Sequence, residues 1–426
     1  MTSRAKGYRG GQAPRATMVD VSQPPTTAAD EARPLPDFTN VEETFRHLSD
    51  GELRQTRWLF SLMGSQWLTE RLSGLSAWAV RWRIPGATWG VKRTIYRQFV
   101  GGTGLDDALP RIERLHRRGV RSILDFGSEA KSSEEDFERF KDEVLRAIDF
   151  CAGTTAANSV VVKITGLAPD EVLEKYNSWG EFDAEDAEDP RMEELHGRLD
   201  AIASRAAEKG IKLYVDAEES WFQNTIDRLA DVLMERYNRG KVVVLNTFQL
   251  YRHDRLAFLH ASDERARSKG YLLGAKLVRG AYMVKESERA MAKGEPSPIQ
   301  PDIESTHRDF DAALRYCVER HERICTTIGS HNEASTRLGC ELIAELGIPR
   351  DHPHVGFAQL LGMSDNLTFN LAAGGYNVAK YMVYGPVTDV LPYLVRRAQE
   401  NTSVTGEMGR ELRLLESERD RRKAAR

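Results

Sequence analysis

Ser159-Val-Val-Val-Lys-Ile164 is a short β-branched run that carries one charge near its end. Seven more runs of this kind follow the same rule. They are Arg121-Ser-Ile-Leu-Asp-Phe126, Lys212-Leu-Tyr-Val-Asp216, Val242-Val-Val-Leu-Asn-Thr-Phe-Gln249, Leu273-Gly-Ala-Lys-Leu-Val-Arg279, Cys325-Thr-Thr-Ile-Gly-Ser-His331, His354-Val-Gly-Phe-Ala-Gln359 and Val378-Ala-Lys-Tyr-Met-Val-Tyr384. A charged segment of helical character comes after each. Short strands alternating with helices predict parallel βαβ units. Eight of them predict an α/β protein, a distorted (β/α)8 TIM-type barrel.

Outward from that core the texture changes. Residues 37–118 are rich in Leu, Trp and Arg and read as an N-terminal helical region, with helices expected over Glu52–Met63, Gln66–Leu75 and Val91–Phe99. Residues 1–36 place Arg4, Lys6, Arg9 and Arg15 before the first acid, Asp20, and then turn Pro/Thr/Ala-rich. That composition predicts a disordered tail. A mitochondrial presequence is the alternative, although Gly10, Gly11 and Pro14 interrupt any amphipathic helix. The barrel is expected over 119–402, with an exposed acidic elaboration at Glu181–Glu194, and a charged helix or tail over 403–426.

Composition excludes several classes. A net charge of −4 gives no basic field for nucleic acid. No apolar run reaches the ~18–20 residues of a membrane span. The four cysteines have no CxxC or metal-like spacing, and the histidines no HExxH, so no metal site is expected.

In a barrel of this kind the C-terminal ends of the strands hold the active site. Those positions read Asp125, Lys163, Asp216, Gln249, Lys276 with Arg279, His331 with Asn332, Gln359, and Tyr381 with Tyr384. One such residue is ordinary; a full rim of them implies a large polar ligand, because buried polar groups cost a few kcal/mol unless paired. Lys163 admits two readings, a Schiff-base nucleophile or an ion pair with Asp216, and the pair is the simpler. No GxGxxG fingerprint or Walker loop follows a strand.

Past the eighth run, Leu391-Pro-Tyr-Leu-Val-Arg-Arg-Ala-Gln-Glu-Asn401 predicts a helix capped by Thr388 or Asp389. Tyr393, Arg396, Arg397 and Glu400 share one face, with Leu391, Leu394, Val395 and Ala398 on another. Adjacent guanidiniums need a compensating anion, and their planar forks suit a carboxylate.

With these residues in view, the chain resembles the proline dehydrogenases over roughly Asp125–Asn401. The resemblance rests on Asp216-Ala-Glu-Glu, Lys276-Leu-Val-Arg-Gly-Ala-Tyr282, Ser330-His-Asn332, Gln359-Leu-Leu-Gly-Met363, Tyr381-Met-Val-Tyr-Gly-Pro386 and Tyr393-x-x-Arg-Arg-x-x-Glu-Asn401. It implies FAD-dependent oxidation of L-proline to 1-pyrroline-5-carboxylate, the first step of proline catabolism, with hydride passing from proline C5 to flavin N5 and electrons then to a membrane quinone.

The resemblance also implies roles. Arg396 and Arg397 clamp the carboxylate, and Tyr381, Tyr393 and Leu361 wall the ring. Lys163 and Asp216 are the catalytic pair. Gln249, Lys276, Val278, Gly280, Tyr282, His331, Asn332 and Glu400 are the cofactor-binding set. Many bacterial relatives have arginine where this chain has Lys276, so the charge carries over and the fork geometry does not. Peripheral contact with a membrane follows from the quinone, the amphipathic Trp67–Arg93 segment being one candidate surface. The expected site is the cytoplasmic face of the inner membrane, or alternatively the matrix side of the mitochondrial inner membrane. Hydroxyproline dehydrogenase and a flavin barrel of the methylenetetrahydrofolate reductase type are the alternative activities.

Overall fold

The computed structural model describes residues 34–63, 92–127, 133–177, 189–403 and 405–426, the side chains of 62, 63, 92, 93, 398–403 and 405–408 excepted. The expected helix at Gln66–Leu75 lies outside these residues, as does nearly all of Trp67–Arg93. In chain order come α1 (Val41–Phe45), α2 (Asp50–Met63) and α3 (Leu105–His116), then β1 (Val120–Phe126), α4 (Glu134–Ala152), β2 (Ala157–Val162), α5 (Asp170–Asn177), α6 (Pro190–Lys209) and β3 (Lys212–Val215). They are followed by α7 (Ser220–Tyr237), β4 (Val244–Gln249), α8 (Arg255–Lys269), β5 (Leu273–Val278), α9 (Met283–Lys293), α10 (Ile303–Val318) and β6 (Ile324–Gly329). The last are α11 (Glu333–Glu345), β7 (Val355–Leu360), α12 (Asp365–Ala373), β8 (Val378–Tyr384), α13 (Val387–Ser403) and α14 (Thr405–Ala424).

All eight expected runs form strands, and they close in sequence order into one parallel barrel. Closure is made by β1 and β8, which pair in unbroken register from Val120 with Val378 to Phe126 with Tyr384. A barrel leaves no exposed strand edge. Its strands are buried on both faces, which is why they read as apolar runs rather than strict alternations. Alternation is still present in space. On β8, Val378, Met382 and Tyr384 pack outward in the large core between sheet and helices, whereas Ala379 and Tyr381 turn inward. The inward cluster also holds Ile123, Val161, Tyr214, Leu245, Cys325 and Ala358, so the barrel is a filled core and not a pore.

Several ends differ from the expected runs. Lys163, Asp216, Arg279 and His331 each lie just beyond their strand. Lys163 and Asp216 bond there to the acids and lysines of the mouth, whereas Arg279 turns to His307 and Ser330. Likewise, the acidic segment is not wholly an exposed elaboration. Residues 178–188 lie outside the described set, but from Pro190 the chain is α6, capped by Asp189, and buries Met192 and Leu195. Pro190 in the first turn costs no hydrogen bond there.

The described part of the N-terminal region and the C-terminal helix meet on one side of the barrel. Leu415 of α14 is buried with Phe45, Leu53, Leu59 and Phe60 of α1 and α2, and with Tyr393 and Leu394 of α13. Arg422 of α14 donates to the carbonyls of Leu48 at 3.0 Å and Phe45 at 2.9 Å, and to Asp50 at 2.8 Å. No described helix is long and apolar enough to cross a membrane.

Candidate active site at the barrel mouth

Four charged side chains meet inside the C-terminal end of the barrel. Asp125 continues the inward parity of Ile123 on β1, and Lys276 stands on β5. Lys163 and Asp216 follow β2 and β3. Lys163 Nζ lies 3.1 Å from Asp125 Oδ2 and 3.8 Å from Asp216 Oδ2. Lys276 Nζ donates to Asp216 Oδ1, and the Tyr381 hydroxyl donates to Asp216 Oδ2 at 2.7 Å. The expected Lys163–Asp216 pair is therefore present as the longer contact; each acid has a different nearest lysine.

Two carboxylates and two ammoniums leave this group neutral, which is how charges tolerate burial. Burial pushes the Asp216 carboxyl up, but Lys276 and Lys163 outweigh it and hold the group below the usual carboxylate range. Asp125 goes the other way: burial and the nearby Asp216 raise it, and Lys163 offsets only part. Tyr381 is pushed well above the ordinary phenol by burial and by the two carboxylates. Beneath them the Tyr214 hydroxyl spans the barrel to Thr327 Oγ1 at 2.8 Å. Lys276 Nζ sits 5.6 Å from the Tyr214 ring and 5.3 Å from that of Tyr381. The sequence places Asp125 on the rim but assigns it no role, and it does not single out Tyr214. The signal was available in Asp125, two residues past an inward Ile123.

Above this floor α13 reaches from the end of β8 toward the rims of β5 and β6. Arg396 Cζ is 6.0 Å from the ring of Tyr282, just past β5. Arg397 is 7% exposed and its charge is felt by His331, just past β6. The helix begins at Val387, so Thr388 and Asp389 lie in its first turn and do not cap it. Its buried face is Val390, Tyr393, Leu394 and Arg397, at helical spacing. Leu391 and Val395 are half-buried. The expected division into a polar and an apolar face is thus replaced by one in which Arg397 is buried on the same face as Val390, Tyr393 and Leu394. The Glu400 side chain lies outside the described set.

The expected cofactor residues fall on one arc of the mouth, at the ends of β4, β5 and β6. Gln249 is buried and its amide donates to the Glu218 carbonyl at 2.7 Å. Val278 ends β5. Gly280 has φ +143, and a Cβ there would run into the Tyr251 ring, so no other residue fits. Half-buried Tyr282 precedes α9. His331 Nδ1 is 2.9 Å from Ser364 Oγ. Burial, then Lys380, Arg397 and Arg279, push its imidazole down to about 3 and so keep it neutral. Asn332 caps α11, its side-chain oxygen accepting from Ser335 N at 3.0 Å.

Four residues of the sequence reading lie elsewhere. Gln359 has outward parity on β7; it donates to the Ser330 carbonyl and accepts from Thr368 of α12 at 2.9 Å. Tyr384 points outward to Glu143 of α4, 2.9 Å away. Arg279 is spent on His307, Ser330 and Ser335, and stacks 4.3 Å from the Phe310 ring. Leu361 is buried in the outer core and lines a lateral cavity of about 260 Å³ with His47, Arg111 and Phe369. Alternation instead gives Leu360 the inward position of β7.

The family model described as proline dehydrogenase matches residues 108–410. The "Proline dehydrogenase 1, mitochondrial" of Dictyostelium discoideum is 32% identical over 374 residues, which cover 78% of this chain and 65% of that protein. The chain thus spans just under two thirds of that relative. The hydroxyproline dehydrogenase of Xenopus laevis is 33% identical over 372 residues, 78% of this chain and 79% of its own length. Among solved structures, proline utilization A (PutA) from Bdellovibrio bacteriovorus superposes with a TM-score of 0.65 at 21% identity. That match covers 86% of this chain and 38% of the other, and it speaks for the fold alone. With most of its length matched by the family model, and with the closed barrel that the sequence predicted, this chain belongs to the proline dehydrogenase family.

Proposed function

We propose that this protein oxidises L-proline to 1-pyrroline-5-carboxylate with FAD as its cofactor. The observation that carries the reading is a neutral four-charge floor, Asp125–Lys163–Asp216–Lys276, at the same barrel mouth to which α13 brings two guanidiniums beside Tyr282 and His331. A small amino acid with a carboxylate at one end and a secondary amine at the other is complementary to that pair of surfaces. In this reading Arg396 and Arg397 hold the carboxylate through charge-assisted bonds, which are the strongest a protein can offer it. Tyr381 and Tyr393 then bound the ring. Lys163 and Lys276 present positive charge to the amine and so favour its neutral form, the one with a lone pair free to make an imine.

The arc of Gln249, Lys276, Val278, Gly280, Tyr282, His331 and Asn332 fits a flavin by its donor set. It has two amide groups and a neutral imidazole for ring heteroatoms, and a cation for a reduced, anionic ring. The start of α11 adds a helix N-terminus, the usual partner of a phosphate. FAD held there would supply the two-electron acceptor, its N5, for the hydride of proline C5. Lys276 would steady the negative charge left on it.

The electrons then pass to a quinone, which places the working enzyme against a membrane. Its site is the cytoplasmic face of the inner membrane or, since several relatives are named as mitochondrial, the matrix side of the mitochondrial inner membrane. The family includes hydroxyproline dehydrogenases, so hydroxyproline is the second substrate to test; two tyrosines at the ring favour the unsubstituted one. The experiment is anaerobic mixing with each candidate. Yellow protein should bleach with proline, more slowly with 4-hydroxyproline and not with NADH. Bleaching by NADH, or none with proline, would reject this function in favour of another flavin barrel.

A further inference from the structure

Proline reaches an enzyme as an ammonium, so its oxidation needs somewhere to put a proton. Asp216 is committed to two lysines and a tyrosine, and Asp125 to Lys163. Glu218, two residues past Asp216 on the same rim, is built differently. It is only 4% exposed, yet among the described residues no lysine or arginine comes within ion-pairing distance of its carboxylate. Thr165 holds it instead, N–H to Oε1 at 3.1 Å and Oγ1–H to Oε2 at 2.5 Å. Thr165 is two residues past Lys163, in the short turn Ile164–Gly166 that Lys163 opens.

The main chain of Glu218 ties it to the cofactor arc as well. Its carbonyl accepts from Gln249 Nε2, and its N–H donates to Gln223 Oε1 at 2.8 Å. A carboxylate with only neutral donors is thus fixed between the substrate side and the flavin side of the mouth. Such a pair, one acid pushed down by cations and its neighbour left without them, is how enzymes separate acid and base roles.

We propose that Thr165 and Glu218 form the proton exit of the site. The ammonium N–H proton passes to Thr165 Oγ1 as the threonine's own proton moves to Glu218 Oε2. A neutral amine with its lone pair free and a neutral carboxylic acid remain, so charge and atoms balance. Glu218 acts through Thr165, as a positioning residue that does not touch substrate. The inference rests on the proline-oxidation reading above.

The surroundings suit the role. Burial pushes the Glu218 carboxyl up to about 7, the Thr165 donors and the Lys163 charge oppose, and Glu219 adds to the rise. The other charges on the packed elements are engaged elsewhere: Glu219 is paired with Lys285 of α9, and Asp227 of α7 holds Gln223 and Arg255.

The test is the rate of anaerobic flavin bleaching by proline from about pH 5 to about 9, with an infrared titration of carboxyl groups in the same protein. In the wild type the rate should fall as pH drops below about 7, where Glu218 becomes protonated and can accept nothing. Glu218→Gln should lower the maximal rate about a hundredfold at neutral pH and abolish that limb, with half-saturating proline changed less than about threefold. It should also lose a protonated-carboxyl infrared band that titrates near neutrality. Thr165→Val, which keeps the backbone donor, should slow the step while retaining that band, and serves if Glu218→Gln does not fold. An unaltered limb in Glu218→Gln, a wild-type rate in Thr165→Val, or a band that survives Glu218→Gln overturns the proposal alone. Wild-type protein that proline bleaches at no pH overturns the proline reading itself.

Discussion

Replacing Asp216 by asparagine removes one negative charge and changes almost nothing in shape. The consequence follows from its partners. Lys276, Lys163 and Tyr381 all bond or pair to that carboxylate, and among the described residues Asp125 is then the one acid still within pairing distance of either buried ammonium. Leaving a buried charge without its partner costs about 3–5 kcal/mol. The penalty has a ceiling, because a lysine can shed its proton instead. At pH 7 that escape costs about 4–5 kcal/mol for an ordinary lysine, and at pH 9 only about 2. Urea unfolding of Asp216→Asn should therefore show a loss of about 3–5 kcal/mol at pH 7 that narrows toward about 2 at pH 9. The denaturant slope should stay constant. A loss below about 1 kcal/mol at pH 7, or one that ignores pH, would refute the idea that this carboxylate neutralises the floor.

Arg397→Met should raise the proline concentration for half-reduction of the flavin by at least two orders of magnitude, from about 3–5 kcal/mol for a buried ion pair left half-made. A change under about threefold in that titration would discard the carboxylate clamp. His331 is held neutral in the fold, with its imidazole at about 3. The unfolded chain takes up that proton below about pH 6.5, so stability should drain by up to about 1.4 kcal/mol per pH unit as pH falls from there toward 3. Chemical denaturation of His331→Gln at pH 6 and pH 4 should show a shallower fall than wild type, and equal slopes would place the imidazole outside the buried network.

The barrel was legible because a closed parallel sheet turns each strand into an apolar run, and eight runs with helices between them admit few other folds. Lys163, Asp216 and Lys276 were legible for a related reason: a charge inside an apolar run has to be paired. Parity was harder. With both faces of each strand buried, Gln359 and Tyr384 look no different in sequence from Asp125 and Tyr381, yet the first two face helices and the second two face the mouth. Leu361 and its neighbour Leu360 are a still closer case, two leucines separated only by which way the last residue of β7 turns. On α13, an arginine was expected with the polar face; Arg397 is buried because α2, α14 and the mouth enclose the helix together. Glu218 could not be found by pattern at all, since what marks it is a set of three-dimensional partners, the two donors of Thr165, with no ion pair among the described residues.

The contacts of Arg422 carry a consequence for the far end of the molecule. They join α14 to α1 and α2, segments more than three hundred residues apart in sequence, and Leu415 joins the same cluster as Tyr393. The helix that presents the paired guanidiniums is therefore held on one side by the barrel and on the other by a clasp made of distant chain segments. On the proposed function, substrate affinity would then report on the packing of that clasp. A change on the outside of α14, well away from the barrel mouth, should register as a weaker grip on the carboxylate of proline.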